Sequence, residues 1–479
     1  MTDRSTPAAT GSATTRDGFD TLALPAELLE GLALLEYTSM TPIQAATLPA
    51  VLDGRDVLGQ GQTGSGKTAA FGLGLLASLD VERFDVQALV LCPTRELADQ
   101  VADEIRRLAR RLANLKVLTL CGGAPLGPQS NSLAHGAHVV VGTPGRIEEH
   151  VRKGTLSLDA LKVLVLDEAD RMLDMGFQAS LEAIVAATPR ARQTLMFSAT
   201  YGESVRPVAE RLLRDPVAVE IASTHDDTSI RQHFHQVADE SARLKALRQL
   251  LLHHRPATSV VFCNTRRETQ EVAEALSEMG FSAAAIHGDL EQRERDRTLI
   301  CFANQSLSVL VATDVAARGL DIDSLDAVFN YQIARELEVH VHRIGRTGRA
   351  GGSGVACTLI TAAERYRLER LEAFLEQTLE LEPLPGSAKQ TVPFIAPRVT
   401  LELDAGKKQK IRPGDILGAL TTGEDARALR GDQVGKIKVL ARNAFVAVDR
   451  EVARQALATL NAGTLKGRRC RARRVDESA

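Results

Sequence analysis

The 479 residues of this chain are enough for three domains of ~150 residues each, and 44% hydrophobic and 25% charged residues are ordinary for a globular protein. The six cysteines form no C-x-x-C pair, which argues against a zinc site and a disulfide framework and fits a reducing cytosol. Residues 1–18 lack an apolar signal-peptide core, and no apolar run reaches the ~18 residues of a membrane helix. We therefore expect a cytoplasmic protein, and we expect a monomer.

The net charge of −3 conceals an asymmetry between the two ends of the chain. Residues 401–479 contain 17 Lys and Arg against 10 Asp and Glu, whereas residues 1–400 contain 41 against 51. A basic tail on an acidic body favours contact with a polyanion. A solvated charged surface gives the same balance, so charge alone leaves both alternatives open.

After a segment at 1–18 that we expect to be disordered, residues 19–222 alternate apolar runs with helical patterns. Continuous apolar runs are typical of strands buried on both faces, and strands that alternate with helices predict a doubly wound parallel sheet. The runs that predict strands lie at 56–58, 88–92, 138–141, 162–166 and 193–197, and residues 95–112 predict a helix.

A short polar linker at 223–228 leads to a second α/β block, residues 230–382, and a proline-rich linker at 383–399 leads to a third, residues 400–475. The third block has the order β-α-β-β-α-β, which resembles an RNA recognition motif. The second block predicts strands at 259–263, 283–286, 308–311, 327–330 and 354–360 and a helix at 364–380. The third predicts strands at 400–403, 435–440, 444–448 and 469–475 and helices at 413–420 and 451–460.

Residues 61–68, G-Q-T-G-S-G-K-T, have the pattern of a phosphate-binding loop between a strand and a helix. Its glycines let backbone N–H groups face phosphates, and the N-terminus of the next helix adds positive potential. We expect Lys67 to reach the β- and γ-phosphates and the Thr68 hydroxyl to bind Mg²⁺. The nucleotide contacts predicted here are Gly61, Gln62, Thr63, Gly64, Ser65, Gly66, Lys67 and Thr68.

The apolar run at 162–166 ends in two adjacent carboxylates, Asp167 and Glu168. Asp167 is expected to hold Mg²⁺, partly through water, and Glu168 to orient and deprotonate the attacking water. Carboxylates that merely cap a strand end are the alternative, which the phosphate loop disfavours. Loop and carboxylates together predict a nucleoside triphosphatase.

Phosphoryl transfer also needs an arginine near the γ-phosphate. Residues 342–349, H-R-I-G-R-T-G-R, provide candidates in a second block that has no phosphate loop of its own. Two similar domains with one loop predict a nucleotide at the domain interface, so that these arginines act only when the cleft closes. A basic surface loop is the alternative.

Taken in order, these motifs resemble those of the DEAD-box RNA helicases over residues 19–380, which implies two RecA-like domains. D-E-A-D stands at 167–170, and residues 37–44, Y-T-S-M-T-P-I-Q, are similar to the Q motif. The resemblance implies that Gln44 reads adenine and Phe19 stacks on it, so that the nucleotide is ATP rather than GTP.

Further first-domain motifs are P-T-R-E-L at 93–97, G-G at 122–123, T-P-G-R at 143–146 and S-A-T at 198–200. The second domain carries V-F-C-N-T at 261–265, H-G-D at 287–289, Q-R-E-R at 292–295 and A-T-D-V-A-A-R-G-L-D at 312–321. The resemblance implies catalytic arginines at Arg346 and Arg349, an ATP ribose contact at Asp321, and coupling roles for Ser198, Thr200, Asp170 and His342. It also implies RNA contacts at Arg95, Gly123, Thr143, Arg146, Thr265, Gln292, Arg295, Thr313 and Gly319.

Residues 407–420, with residues 435–437 and 466–471, are closely similar to the C-terminal RNA-binding domain of the DbpA family of bacterial helicases. That resemblance implies recognition of a hairpin in large-subunit ribosomal RNA. The third strand of the module has one aromatic residue, Phe445, which serves either base stacking or the core, so we expect RNA contacts at basic loops and strand edges. Each of the candidates is equally explained as a solvated charge: Lys407, Lys408, Lys410, Arg442, Lys466, Arg468, Arg469 and Arg471.

The leading interpretation is therefore an RNA-stimulated ATPase and helicase that unwinds short duplexes in ribosomal RNA during large-subunit assembly, with the pre-ribosomal particle as its partner. An ATP-gated RNA clamp, or a general RNA chaperone without ribosomal specificity, uses the same residues and stays open. A DNA translocase is disfavoured by the Q motif and the tail. A passive RNA-binding protein is disfavoured by intact Lys67, Glu168 and Arg346.

Overall fold

The structure is a computed structural model that describes residues 18–61, 65–198, 200–202, 205–221, 230–317, 325–348, 354–386, 392–422 and 428–475. The chain divides into two units, Met1–Thr224 and His225–Ala479. Among the described helices, none is both long enough and apolar enough to cross a membrane. The expected disorder at 1–18 falls, apart from Gly18, outside the described residues, as does the linker at 223–228.

The first unit is built on seven parallel strands, most of them short and fully buried. They are β1 Val57–Gln60, β2 Ala88–Leu91, β3 Val117–Leu120, β4 Val139–Gly142, β5 Val163–Asp167, β6 Gln193–Ser198 and β7 Val217–Glu220. Their order in the sheet is β3-β4-β2-β5-β6-β1-β7. Since β1 and β5 both flank β6, the ends of these strands bring the phosphate loop and the D-E-A-D residues to the same edge.

Helices cover both faces of this sheet, as expected when most of its strands are buried on both faces. They are α1 Ala26–Leu34, α2 Pro42–Leu52, α3 Lys67–Ala77, α4 Arg95–Leu108, α5 Leu126–Leu133, α6 Pro144–Arg152, α7 Ala169–Asp174, α8 Gln178–Ala186 and α9 Arg206–Leu212. Two apolar cores result, one on each face, centred on Phe71 with Phe197 and on Leu89 with Leu164.

The second unit begins with another seven-stranded parallel sheet, in the order β10-β11-β9-β12-β13-β8-β14. Its strands are β8 Ile230–Val237, β9 Ser259–Cys263, β10 Ala283–Ile286, β11 Val309–Thr313, β12 Ala327–Asn330, β13 Gly354–Thr361 and β14 Leu381–Glu382. Its helices are α10 Glu240–His254, α11 Arg266–Glu278, α12 Gln292–Ala303, α13 Asp314–Ala317, α14 Leu337–Ile344 and α15 Arg365–Leu375. The helix expected to extend to residue 380 ends at Leu375, because Glu376 has a left-handed backbone with φ 54°.

The C-terminal module has the predicted β-α-β-β-α-β order and forms an antiparallel sheet in the order β16-β17-β15-β18. Its elements are β15 Arg398–Leu403, α16 Pro413–Thr421, β16 Val434–Val439, β17 Ala444–Asp449, α17 Ala453–Ala462 and β18 Ala472–Arg474. Alternate strand residues such as Leu401 and Val446 form a core with Ile416 of α16 and Leu460 of α17.

The other face of this sheet lies against the second helicase-like domain. Phe445 is only 4% exposed and belongs to the same apolar cluster as Ile300 of α12. The Thr400 hydroxyl is hydrogen-bonded to Asn304 Nδ2 at 3.1 Å and to Ser306 Oγ at 2.6 Å. Of the two sequence-based interpretations of Phe445, the core interpretation describes this structure.

Candidate nucleotide and RNA sites

The phosphate loop leads from β1 directly into α3. Lys67 is 6% exposed, and its ammonium donates to the carbonyl oxygen of Gly61 at 2.6 Å. Gly66 precedes the helix with φ 96°, a left-handed conformation that favours glycine. Thr68 and Ser65 lie in the same turn, so the described part of the predicted loop forms one cradle at the N-terminus of α3.

Two buried carboxylates end β5 beside this loop. Burial raises the pKa of Asp167 to about 7, and the charge of Lys67 opposes that shift. Asp167 Oδ1 is buried and accepts no hydrogen bond from the described residues. A buried carboxylate oxygen in this state fits a cation, and Mg²⁺ is commonly held by one or two carboxylates with phosphates and water. Within the same described residues, no cluster of three or more His, Cys, Asp or Glu is placed to hold a metal ion.

Glu168 lies at the turn between β5 and α7 with a left-handed backbone, φ 56° and ψ 54°. Its Oε2 accepts a hydrogen bond from Arg171 Nη1 at 2.6 Å, and both side chains are buried. The sequence analysis missed Arg171, although the i, i+3 spacing of Glu168 and Arg171 was a signal that could have found it.

The last residue of D-E-A-D connects β5 to the end of β6. Asp170 Oδ2 accepts from the backbone N–H of Thr200 at 3.0 Å and from its hydroxyl at 3.1 Å. The Ser198 hydroxyl donates to the carbonyl oxygen of Thr200 at 2.6 Å. The structure thus joins three of the predicted coupling residues, and the fourth, His342, lies on α14 of the second unit.

Gln44 and Phe19, the two predicted adenine contacts, are buried, and Gln44 lies beside the phosphate loop. Gln44 is 2% exposed; its Nε2 donates to the Gly66 carbonyl at 3.1 Å, and its Oε1 accepts from the Thr41 N–H at 2.9 Å. Phe19 lies in the apolar core with its ring 6.3 Å from that of Tyr37. Gln44 therefore connects α2 to the loop in this structure.

The predicted RNA contacts of the first unit converge where β2, β3 and β4 end. The guanidinium of Arg95 lies over Gly123, where a Cβ would stand 1.8 Å from Nη2. Thr143 is the N-cap of α6, and Arg146 in the first turn of that helix donates to the Ala124 carbonyl at 2.9 Å.

Gln129, which the sequence analysis missed, holds this region together. Its Oε1 accepts from Arg146 Nη1 at 2.8 Å and is hydrogen-bonded to His150 Nε2 at 3.1 Å, and its Nε2 donates to the Cys121 carbonyl at 3.0 Å. No local motif marks a glutamine whose partners lie on two other segments, α6 and the end of β3.

In the second unit, the first arginine of the 342–349 motif proves to be structural. Arg343 is 1% exposed and donates to both oxygens of Asp314, at 2.6 and 2.8 Å, and to Asn264 Oδ1 at 2.8 Å. It therefore fastens together three motifs that are distant in sequence. Arg346, the predicted catalytic arginine, is 6% exposed and follows in the next turn.

The other predicted RNA contacts of this domain lie at strand ends and on α12. Thr265 is the N-cap of α11, and its hydroxyl accepts from the Glu268 N–H at 3.2 Å. Thr313 ends β11, and Gln292 and Arg295 lie in the first turn of α12. Six predicted site residues lie outside the described residues: Gln62, Thr63, Gly64, Gly319, Asp321 and Arg349.

Most of the predicted basic residues of the module are on its outer loops. Lys466 donates to the Lys410 carbonyl at 2.8 Å and pairs with Asp415 at 3.1 Å, which joins the two basic loops. Arg442 lines a cleft of about 690 Å³ between the module and α12. The remaining candidates are exposed: Lys407, Lys408, Arg468, Arg469 and Arg471.

Three family models match this chain. They are DEAD/DEAH box helicase at residues 41–208, helicase conserved C-terminal domain at 242–351 and DbpA RNA binding domain at 400–474. The chain is 52% identical over 456 residues to the ATP-dependent RNA helicase DbpA of Escherichia coli, which covers 95% of this chain and 99% of that protein. It is 42% identical over 362 residues to the DEAD-box ATP-dependent RNA helicase CshA of Geobacillus kaustophilus, which covers 76% and 77%.

Solved structures show the same architecture. The chain matches S. cerevisiae Dbp5 bound to RNA and ADP BeF3 with a TM-score of 0.70 and 29% identity, over 77% of this chain and 96% of that chain. The predicted fold class, two tandem RecA-like domains and a small α+β module, is confirmed.

Proposed function

Because this chain belongs to the DEAD-box family of ATP-dependent RNA helicases, which are RNA-dependent ATPases, we propose that it acts on ribosomal RNA during assembly of the large ribosomal subunit. Its reaction there is local, non-processive separation of short duplexes, driven by hydrolysis of ATP. We place the three domains at residues 19–222, 230–382 and 400–475, and the activity in the cytoplasm.

The observation that carries the ATPase assignment is the pair of buried carboxylates at the end of β5 beside Lys67. Asp167 and the Thr68 hydroxyl would hold Mg²⁺, which neutralises charge on the β- and γ-phosphates when bound. Glu168 would orient and deprotonate the attacking water. Arg346 and Arg349 of the second domain would stabilise the transferring phosphoryl group when the domains close.

The contact of Asp170 with Thr200 supports coupling between hydrolysis and RNA. A change at the D-E-A-D residues is transmitted to the end of β6 through two hydrogen bonds, at 3.0 and 3.1 Å. The RNA contacts are proposed to be mainly to phosphates, through Arg95, Arg146 and the N-cap threonines, so they read backbone rather than sequence.

The ribosomal target is supported by the C-terminal module. The relative named DbpA matches 95% of this chain, whereas the CshA relative matches 76%, and the DbpA RNA binding domain model matches residues 400–474. The exposed candidates Lys407, Lys408, Lys466 and Arg468 lie in its loops, whereas Phe445 on the sheet is buried in the cluster that includes Ile300 of α12. We therefore propose that a ribosomal RNA hairpin binds the loops around Lys407 and Lys466.

Stimulation of the ATPase by different nucleic acids tests this proposal. A large-subunit ribosomal RNA fragment should stimulate at much lower concentration than bulk RNA, and single-stranded DNA should not stimulate. Equal stimulation by DNA would refute the RNA assignment, and equal stimulation by bulk RNA would leave a general RNA chaperone. Charge reversal of Lys407, Lys408 and Lys410 should remove the ribosomal preference, whereas reversal of the exposed Lys245 and Arg267 should preserve it.

Duplex length separates unwinding from clamping. Local separation predicts that the yield of unwound RNA falls steeply as the duplex is lengthened, and a yield that stays flat would contradict it. The alternative function, an ATP-gated clamp, predicts slow release of RNA with little unwinding at any length. Lys67→Ala should lose ATP binding, and Glu168→Gln should keep ATP and RNA binding but lose turnover.

A further inference from the structure

Each of the three carboxylates in D-E-A-D faces a different partner. Asp167 lies in the field of Lys67, and Asp170 accepts two hydrogen bonds from Thr200. Glu168 accepts from Arg171 Nη1 at 2.6 Å. Lys67 and Thr200 belong to motifs already discussed, whereas Arg171 is outside the four letters and has no role in the function proposed above.

The contact between Arg171 and Glu168 is buried, unlike the close arginine–carboxylate pairs on the surface of the protein. The two side chains are 7% and 6% exposed, whereas the pair Arg211–Glu182, at a comparable 2.7 Å, is 51% and 44% exposed. Burial of two charges is costly unless their geometry is good, so this pair is not an incidental surface contact.

The backbone conformation of Glu168 is a second reason why its side chain needs a fixed partner. Glu168 has a left-handed backbone, which is unusual for a residue with a Cβ and directs the side chain away from the usual strand and helix positions. Arg171 lies one turn into α7, and its backbone N–H donates to Asp170 Oδ1 at 3.0 Å. Arg171 therefore contacts both Glu168, the proposed base, and Asp170, the predicted coupling residue, from the same turn of α7.

We propose that Arg171 is a positioning residue for ATP hydrolysis: its guanidinium holds Oε2 of Glu168 and thereby fixes the direction from which this carboxylate meets the attacking water. The inference rests on the proposed role of Glu168 as the base. A misplacement of about 1 Å can cost on the order of 100-fold in rate, so a group that fixes the base affects turnover without touching substrate.

The test compares Arg171→Met and Arg171→Lys in the full chain, with ATPase kinetics at saturating RNA and separate measurement of ATP and RNA affinity. Arg171→Met should lower kcat at least tenfold while KM for ATP and both affinities stay within twofold. Arg171→Lys should recover a substantial part of kcat, because an ammonium can still donate to Oε2. Arg211→Met removes an exposed pair of similar length and should leave kcat unchanged.

The outcomes separate the possible failures. If Glu168→Gln retains turnover, the proposed role of Glu168 fails, and with it the function assigned to this site. If Glu168→Gln loses turnover but Arg171→Met keeps kcat within twofold, only the positioning role is refuted. A loss that appears in KM or RNA affinity, or that follows a lowered unfolding temperature and disappears on cooling, also refutes it in favour of a structural role. If Arg171→Met does not fold, Arg171→Gln replaces it in the same comparison: a kcat within twofold of the native value refutes the proposal, and a tenfold loss of kcat with unchanged KM and RNA affinity supports it.

Discussion

His254, at the end of α10, should make the second domain sensitive to acid. Its ring lies 4.8 Å from that of His253 and 6.3 Å from that of His233, and its Nε2 is 3.5 Å from Cys357 Sγ. Burial, with a smaller contribution from the neighbouring histidines and Arg231, lowers the pKa of His254 to about 4. Protonating this ring therefore opposes folding.

The sign and size follow from linkage. In the unfolded chain the pKa of a histidine is ~6.5, so on acidification the unfolded state binds the proton before the folded state does. The contribution of neutral His254 to the free energy of unfolding is therefore fully present above about pH 6.5. It is lost as pH falls from 6.5 towards the folded pKa of about 4. With these two values, acidification from pH 7.5 to 5.5 removes about 1.3 kcal/mol, an upper limit because the ring is partly exposed.

Amide hydrogen exchange in the full chain measures this effect where it arises. The free energy of opening α10 and β8 should fall by about 1 kcal/mol more in the native protein than in His254→Gln between pH 7.5 and 5.5. His135→Gln, which changes an exposed histidine of the first unit, serves as the control. An identical pH dependence in His254→Gln and the native chain would show that this ring is not responsible.

Three further substitutions test other contacts. Gly123→Ala should displace Arg95, because the new Cβ would stand 1.8 Å from Arg95 Nη2 and residue 123 has a φ of 69°. Titration of the ATPase with RNA should then show a raised KM for RNA and unchanged basal activity. An unchanged KM for RNA would contradict this prediction. Arg243→Met leaves Glu364 and two backbone carbonyl groups without their hydrogen-bond donor. The second unit should lose about 3–5 kcal/mol of unfolding free energy in thermal or urea unfolding. A loss below ~1 kcal/mol would be too small for a buried ion pair. Phe445→Ala should cost about 3–5 kcal/mol at the contact with α12, seen as faster exchange in β17 and α12, and unaltered protection there would contradict the contact.

The sequence predicted the fold well where the pattern was local. Strands such as Ser259–Cys263 and Ala327–Asn330 lie at the predicted residues, because continuous apolar runs have one good solution in a parallel sheet. β8 was missed because I-R-Q-H-F-H-Q-V is not a continuous apolar run: five of its eight residues are polar. The helix at 365–375 was overextended because Glu376, not a glycine, adopts the left-handed end.

In the candidate site too, residues in a local motif could be predicted from the sequence, whereas contacts between distant segments could not. Lys67 and Glu168 could be predicted as site residues because their chemistry follows from a short motif beside a strand end. Arg343 was missed because its partners, Asn264 and Asp314, come from segments that only the folded sheet brings together. A motif gives the types of residues near a site, and the register of neighbouring strands determines which of them face each other.

The hydrogen bonds of Thr400 to Asn304 and Ser306 affect how the C-terminal module can be removed or exchanged. Cutting the chain before β15 would remove the module and also uncover an apolar patch and two buried polar groups on the domain that remains. The C-terminal module therefore cannot be exchanged between helicases without its contact surface on the second domain. Grafting it onto another helicase would transfer its RNA loops, but a stable fusion would also need the matching surface of α12.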